Sequence, residues 1–170
     1  MIPLLRYVEE AGTFVIAIDT DSGGRYQISD LSQIIRATRL PVVVKGVMTL
    51  EDAKRAIDAG AAGIVVSNHG GRRLDHTPGT AEVLPLIADE IKGKITILVD
   101  GCVHYGTDVL KYLALGADAV LIGRHIIRAA FGSGREGVAL FMNTMRNELA
   151  SAMSMTAVSD IKKISGDILA

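Results

Sequence analysis

Apolar and polar positions fall in blocks along this chain rather than alternating residue by residue. Three stretches share one layout: "EEAGTFVIAIDT" ending at Thr20, "AIDAGAAGIVVS" ending at Ser67, and "YLALGADAVLIG" ending at Gly123. In each, a segment with helical spacing stops at Ala-Gly or Leu-Gly, and a β-branched run begins a few small residues later. Glycine after a helix supplies the left-handed C-cap conformation, so each stretch predicts a helix-to-strand turn. "LPVVVKG" and "KITILVDG" have the same apolar shape without that lead-in. The pattern therefore predicts five strands, at about 14–19, 41–45, 63–67, 95–99 and 119–123.

Helical spacing fills the gaps. It predicts helices over 29–38, 49–59, 80–91 and 107–115, with residues 1–12 forming the helix ahead of the first strand. A last long helix is predicted over roughly 134–155, with Val138, Phe141, Met142, Met145 and Leu149 on one stripe. "TLED" gives the second of these helices a capping box starting at Thr49. Strands that are apolar throughout and alternate with helices imply an α/β fold whose parallel sheet is covered on both faces.

Composition narrows the class. With 170 residues, 49% hydrophobic, the chain suits a single domain (1–170) with a sizeable core. A net charge of −1 argues against nucleic acid as a partner, because binding by counterion release needs a basic excess. No apolar run approaches the roughly 20 residues needed to span a bilayer, and no signal-peptide pattern opens the chain. The lone Cys102 excludes an internal disulfide and a cysteine-cluster metal site, and no metal is expected. The expectation is a soluble cytoplasmic protein without a membrane partner.

In a parallel β/α array, functional residues collect on the loops after the carboxyl ends of the strands. Those ends read Asp19; Lys45-Gly46; Ser67-Asn68-His69-Gly70-Gly71-Arg72; Asp100-Gly101; and Gly123-Arg124. Each has a plainer reading. Asp19 suits a turn cap, His69 a satisfied loop histidine, and one of Arg72 and Arg73 a solvated side chain. A lysine directly after "PVVV" sits beside buried territory, and the glycines flanking His69 let a ligand approach the backbone. Glycine-rich ends on the last two strands make a usual phosphate site from backbone N–H groups, to which Arg124 adds a bidentate contact. Together these residues suggest a phosphate-bearing ligand beside a His/Arg pair.

"LPVVVKGVMTLEDAKRAIDAGAAGIVVSNHGGRRLDHTPGT", followed by "ILVDG" and "LALGADAVLIGR", closely resembles the FMN-dependent 2-hydroxy-acid oxidoreductases, the family of glycolate and lactate oxidases. The resemblance runs from about residue 4 to the end, and "SNHGGR-x-LD" is its most specific element. It implies a partial (half) TIM barrel of about five β/α units, equivalent to strands 4–8 of a (β/α)8 barrel. It also implies oxidation of a small 2-hydroxy acid to the 2-oxo acid with FMN as cofactor. By resemblance, His69 is the base that takes the substrate proton and Asp19 the carboxylate that bonds it and stabilises its protonated form. Arg72 is the clamp on the substrate carboxylate. Lys45 lies near flavin N1/O2, where positive charge favours the reduced ring. Asp100 and Gly101 belong to the ribityl and phosphate loop, and Gly123 with Arg124 forms the rest of the cradle.

The departures are specific. The family's "DGGxRxG" reads "DGCVHYG", so Cys102 replaces a glycine and His104 stands in the place of a phosphate-binding arginine. "GRP" reads Gly123-Arg124-His125, Thr-Pro reads Thr20-Asp21, and Arg25 falls near the place of a mobile-loop arginine. The first three strands of the barrel have no counterpart in the sequence. Five strands cannot close a barrel, which leaves an apolar interior face and two edges. Self-association is the favoured remedy; pairing with a separate N-terminal half-barrel or flattening into a doubly wound sheet are the others. Two functions compete: the flavin oxidoreductase, and an inactive half-barrel with weak or no FMN binding. A phosphate-sugar enzyme of the same barrel type ranks third, because "SNHGGR" argues against it.

Overall fold

The computed structural model describes residues 2–20 and 28–169. Strands and helices alternate: α1 (Ile2–Glu10), β1 (Ile16–Asp19), α2 (Ile28–Arg36), β2 (Val42–Val47), α3 (Leu50–Asp58) and β3 (Gly63–Val66). Then follow α4 (Thr80–Ile91), β4 (Thr96–Val99), α5 (Gly106–Ala114), β5 (Ala119–Val120) and α6 (Arg124–Met155). The five strands form one sheet in the order β1-β2-β3-β4-β5, every pair parallel. Asp19 pairs with Lys45, Lys45 with Val65, and Val65 with Leu98. The register thus brings the strand ends level.

Sequential order decides between the architectures left open by the sequence. Right-handed crossovers between neighbouring parallel strands lay every helix on the same side and curl the sheet, whereas a doubly wound sheet must reverse its order. The flattened doubly wound alternative is therefore wrong, and the chain is a partial TIM barrel. The expectation of helices on both faces fails for the same reason.

The two faces of the sheet differ accordingly. Toward the helices, Ile18, Val42, Val44, Ile64, Val66, Ile97 and Val99 are buried against Ala53, Ala56, Leu84, Ile87 and Ile91. On the other face, Ala17, Thr96 and Ala119 are exposed and Val43 and Leu98 half-buried. At the centre, on β3, Gly63 and Val65 are buried and that face is closed. Phe14, leading into edge strand β1, is 90% exposed.

Local chemistry sets the helix limits. Thr49 caps α3 by accepting from Asp52 N at 3.1 Å, as the capping pattern predicts, while its hydroxyl donates to the Asp52 carboxylate at 2.8 Å. The last predicted helix, about 134–155, forms beyond a break in the backbone at Ser133 (φ −156°) and Gly134 (φ 51°). The helical stretch from Arg124 up to that break, counted with it as α6, has no counterpart among the predicted helices. The fifth strand is shorter than predicted, although Leu121 N still donates to Val99 O at 2.8 Å. Where α5 meets α6, a Cβ on Gly106 would overlap Leu149 N and Met145 O, and Gly106 N donates to Glu148 Oε2 at 2.7 Å.

Candidate active site

The carboxyl ends of the strands meet at one open cleft of about 300 Å³. Lys45, His69, Arg72, Asp100, Gly101, His104, Gly123 and Arg124 all line it. Asp19 reaches the cleft through His69, to which its Oδ2 bonds at 2.8 Å from Nε2. Every residue to which the resemblance gives a site role thus stands on one rim. Arg25 and Asp21 lie outside the described residues.

Ser67 is the buried centre of this network, with no exposed surface. Its hydroxyl donates to Asp100 Oδ2 at 2.8 Å and accepts from Lys45 Nζ at 2.9 Å and from His69 N at 3.2 Å. One donor and two acceptors exhaust what a hydroxyl can do. Lys45 Nζ also lies 3.2 Å from Asp100 Oδ2 and 3.3 Å from His69 Nε2. In the tautomer that carries its proton on Nε2, this nitrogen donates to Asp19 and cannot also accept from the ammonium. His69 itself sits at φ 54° in a 3-10 turn, His69–Gly71, after β3. Asn68 closes that turn by accepting from Gly70 N at 2.9 Å, and Arg72 Nε donates to His69 O at 3.2 Å. A Cβ on Gly70 would meet the Arg124 guanidinium at 3.0 Å, so a bare glycine lets that cation lie against the histidine turn.

The far side of the cleft is built from backbone. Asp100 N donates to Val66 O at 3.1 Å, but the amides of Gly101, Cys102 and Val103 have no acceptor among the described residues. Gly101 has φ 119° and Cys102 φ 48°, the latter in a region that side chains rarely adopt. Asp100 Oδ1 is buried without a hydrogen-bond partner among the described residues. Two histidines stand at this end, their ring centroids 4.2 Å apart, and His125 stacks on Phe141. Desolvation of the His125 ring, then the charges of His104, Arg128 and Arg124, hold its pKa below the usual histidine range.

Some contributors carried little signal in the sequence. Ser67 was visible as a strand end with no role attached, although a hydroxyl closing an apolar strand must find partners once buried. Thr80, read only as a helix start, donates to Asp100 O at 2.6 Å. Tyr112, 11 residues beyond the loop it touches, donates to Gly101 O at 2.8 Å. Nothing in the sequence marked it.

The fold and rim together define a partial β/α barrel with a site at the carboxyl ends of its strands. A mandelate oxidase variant carrying a monooxide FMN adduct superposes with a TM-score of 0.90 at 37% identity, over 94% of this chain and 55% of that one. A 2-hydroxyacid oxidase of Dictyostelium discoideum is 45% identical over 83% of this chain and 36% of its own. An L-lactate dehydrogenase of Caulobacter vibrioides is 47% identical over 85% of this chain and 38% of its own. The chain spans well under half the length of those two relatives. The family model for FMN-dependent dehydrogenase matches residues 7–170, and the chain belongs to that family. Among the described residues, no helix is long and apolar enough to cross a membrane.

Proposed function

We propose that this chain carries the proton-handling and phosphate-binding part of an FMN-dependent enzyme that oxidises a small 2-hydroxy acid to the 2-oxo acid. One observation carries the proposal: the Asp19–His69 pair, Lys45 and a set of backbone amides without an acceptor among the described residues converge on a single cleft. The residues fit the cofactor. Asp100 Oδ1 is a buried acceptor that a ribityl hydroxyl would satisfy. Gly101 and Gly123, with His104 and Arg124, suit a phosphate, and Lys45 suits an anionic ring.

When bound, FMN supplies the acceptor for the two electrons released on oxidation of the substrate carbon. The chain's own residues do the rest. Arg72 holds the substrate carboxylate, His69 takes the hydroxyl proton, and Asp19 fixes the imidazole in one orientation. Lys45, held by Ser67 and Asp100, keeps a positive charge beside the histidine.

A second reading is an inactive half-barrel domain, favoured by the open sheet face and by Cys102 at positive φ in the anion loop. Under either reading the apolar face and the edge strands β1 and β5 call for a cover, either a second copy or a complementary N-terminal half-barrel. Self-association is the choice here, because Phe14 and Leu121 offer apolar contact at both edges. A flavin spectrum taken with a solution mass tests both points. Yellow protein bleached by lactate or glycolate supports the enzyme, whereas protein that stays colourless after FMN reconstitution rules out catalysis by this chain alone. A well-behaved monomer at micromolar concentration rules out self-association.

A further inference from the structure

We propose that Thr80 and Tyr112, two buried hydroxyls behind the cleft, are positioning residues that aim the Gly101 and Cys102 amides at the phosphate; this rests on the reading above. Thr80 is 3% and Tyr112 8% exposed, and neither lines the cleft. Thr80 Oγ1 donates to Asp100 O at 2.6 Å, Tyr112 OH donates to Gly101 O at 2.8 Å, and the two hydroxyl oxygens are 2.9 Å apart. Each hydroxyl has one proton. Thr80 commits its proton to Asp100 O, so Tyr112 shares its own between Gly101 O and Thr80 Oγ1 in a three-centre bond.

Peptide planarity converts this into a direction. In a trans peptide the N–H points opposite to the C=O. The Asp100 carbonyl shares its peptide with Gly101 N–H, and the Gly101 carbonyl with Cys102 N–H. Pinning both carbonyls toward Thr80 and Tyr112 therefore turns both N–H groups the other way, and neither finds an acceptor among the described residues. Gly101 and Cys102 both line the cleft. Gly101 is pressed against the clamp so closely that a Cβ there would fall 2.6 Å from Thr80 Oγ1. Burial holds the Tyr112 phenol above its ordinary pKa, and Thr80 opposes that only in part, so the group remains a donor at neutral pH.

Tyr112→Phe and Thr80→Val each remove one hydroxyl with little change of shape, and Thr80→Ser keeps it. Binding of FMN and of riboflavin, which lacks the phosphate, is measured by flavin fluorescence. The first two variants are expected to weaken FMN roughly three- to tenfold, the worth of one hydrogen bond, with riboflavin unchanged and Thr80→Ser close to the parent. Equal weakening of both flavins, or no change in either, overturns the proposal. Should the parent chain bind neither flavin, the functional reading falls. The clamp is then judged by titration with inorganic phosphate, followed through the Gly101 and Cys102 amide resonances. Shifts that weaken in Tyr112→Phe sustain it, and their absence in the parent overturns it.

Discussion

The two sides of the rim are built by opposite means. Along β1 to β3, side chains hold one another: Asp19 to His69, His69 N and Lys45 to Ser67, and Ser67 to Asp100. Beyond β4 the material is backbone, with amides at Gly101 to Val103 that have no acceptor among the described residues and with cations around them. A group that must exchange a proton needs one fixed geometry, so it is pinned from several directions. A surface that receives an anion must keep its donors open, so its stiffness has to come from behind.

That contrast can be broken at several points. The largest effect is expected for His69→Asn, which should slow substrate-driven bleaching of flavin-loaded protein by about 10²–10⁴-fold, the usual worth of a general base. A rate that stays near the parent's would place the base elsewhere on the rim. Next comes Ser67→Ala. It leaves Lys45 and Asp100 without their shared hydroxyl in a buried place, at a cost of about 1–3 kcal/mol in urea unfolding. A loss within about 0.5 kcal/mol, as for an ordinary surface change, would mean that the pinned side does not depend on its centre. On the open side, Cys102→Gly should relieve the left-handed backbone and stabilise by up to about 1 kcal/mol. Combined with His104→Arg, it should also tighten FMN. Unchanged affinity would refute the account of that loop.

The smallest effect concerns pH. His125 is harder to protonate in the folded chain, so the unfolded chain binds more protons over the interval between the two pKa values. The stability this site contributes is complete above the ordinary histidine value of about 6.5 and is lost as pH falls from there through the lower folded value. His125→Gln should flatten that part of a plot of Tm against pH. If the slope persists in the variant, another group is responsible.

What the sequence made legible follows the same division. Strands announce themselves because their apolar runs are continuous, and rim residues because they interrupt those runs at the carboxyl ends. His69, Lys45 and Asp100 could be found that way. Contacts made from behind could not, since Thr80 and Tyr112 lie 20 and 11 residues from the carbonyls they hold. Their partners are set by how α4 and α5 pack, and helical spacing records only which side of a helix is apolar. The helical stretch from Arg124 to Ser133 was missed for another reason: the apolar stripe was traced only beyond the break at Ser133 and Gly134, where the predicted helix does form.

Gly106 decides how closely two helices can meet behind the rim. It stands at the head of α5, directly after the anion loop, and lies against the stretch of α6 beyond its break, at Met145 and Leu149. Any side chain there would act as a wedge and push the start of α5 off that backbone. The seat of the loop thus depends on a missing methyl group.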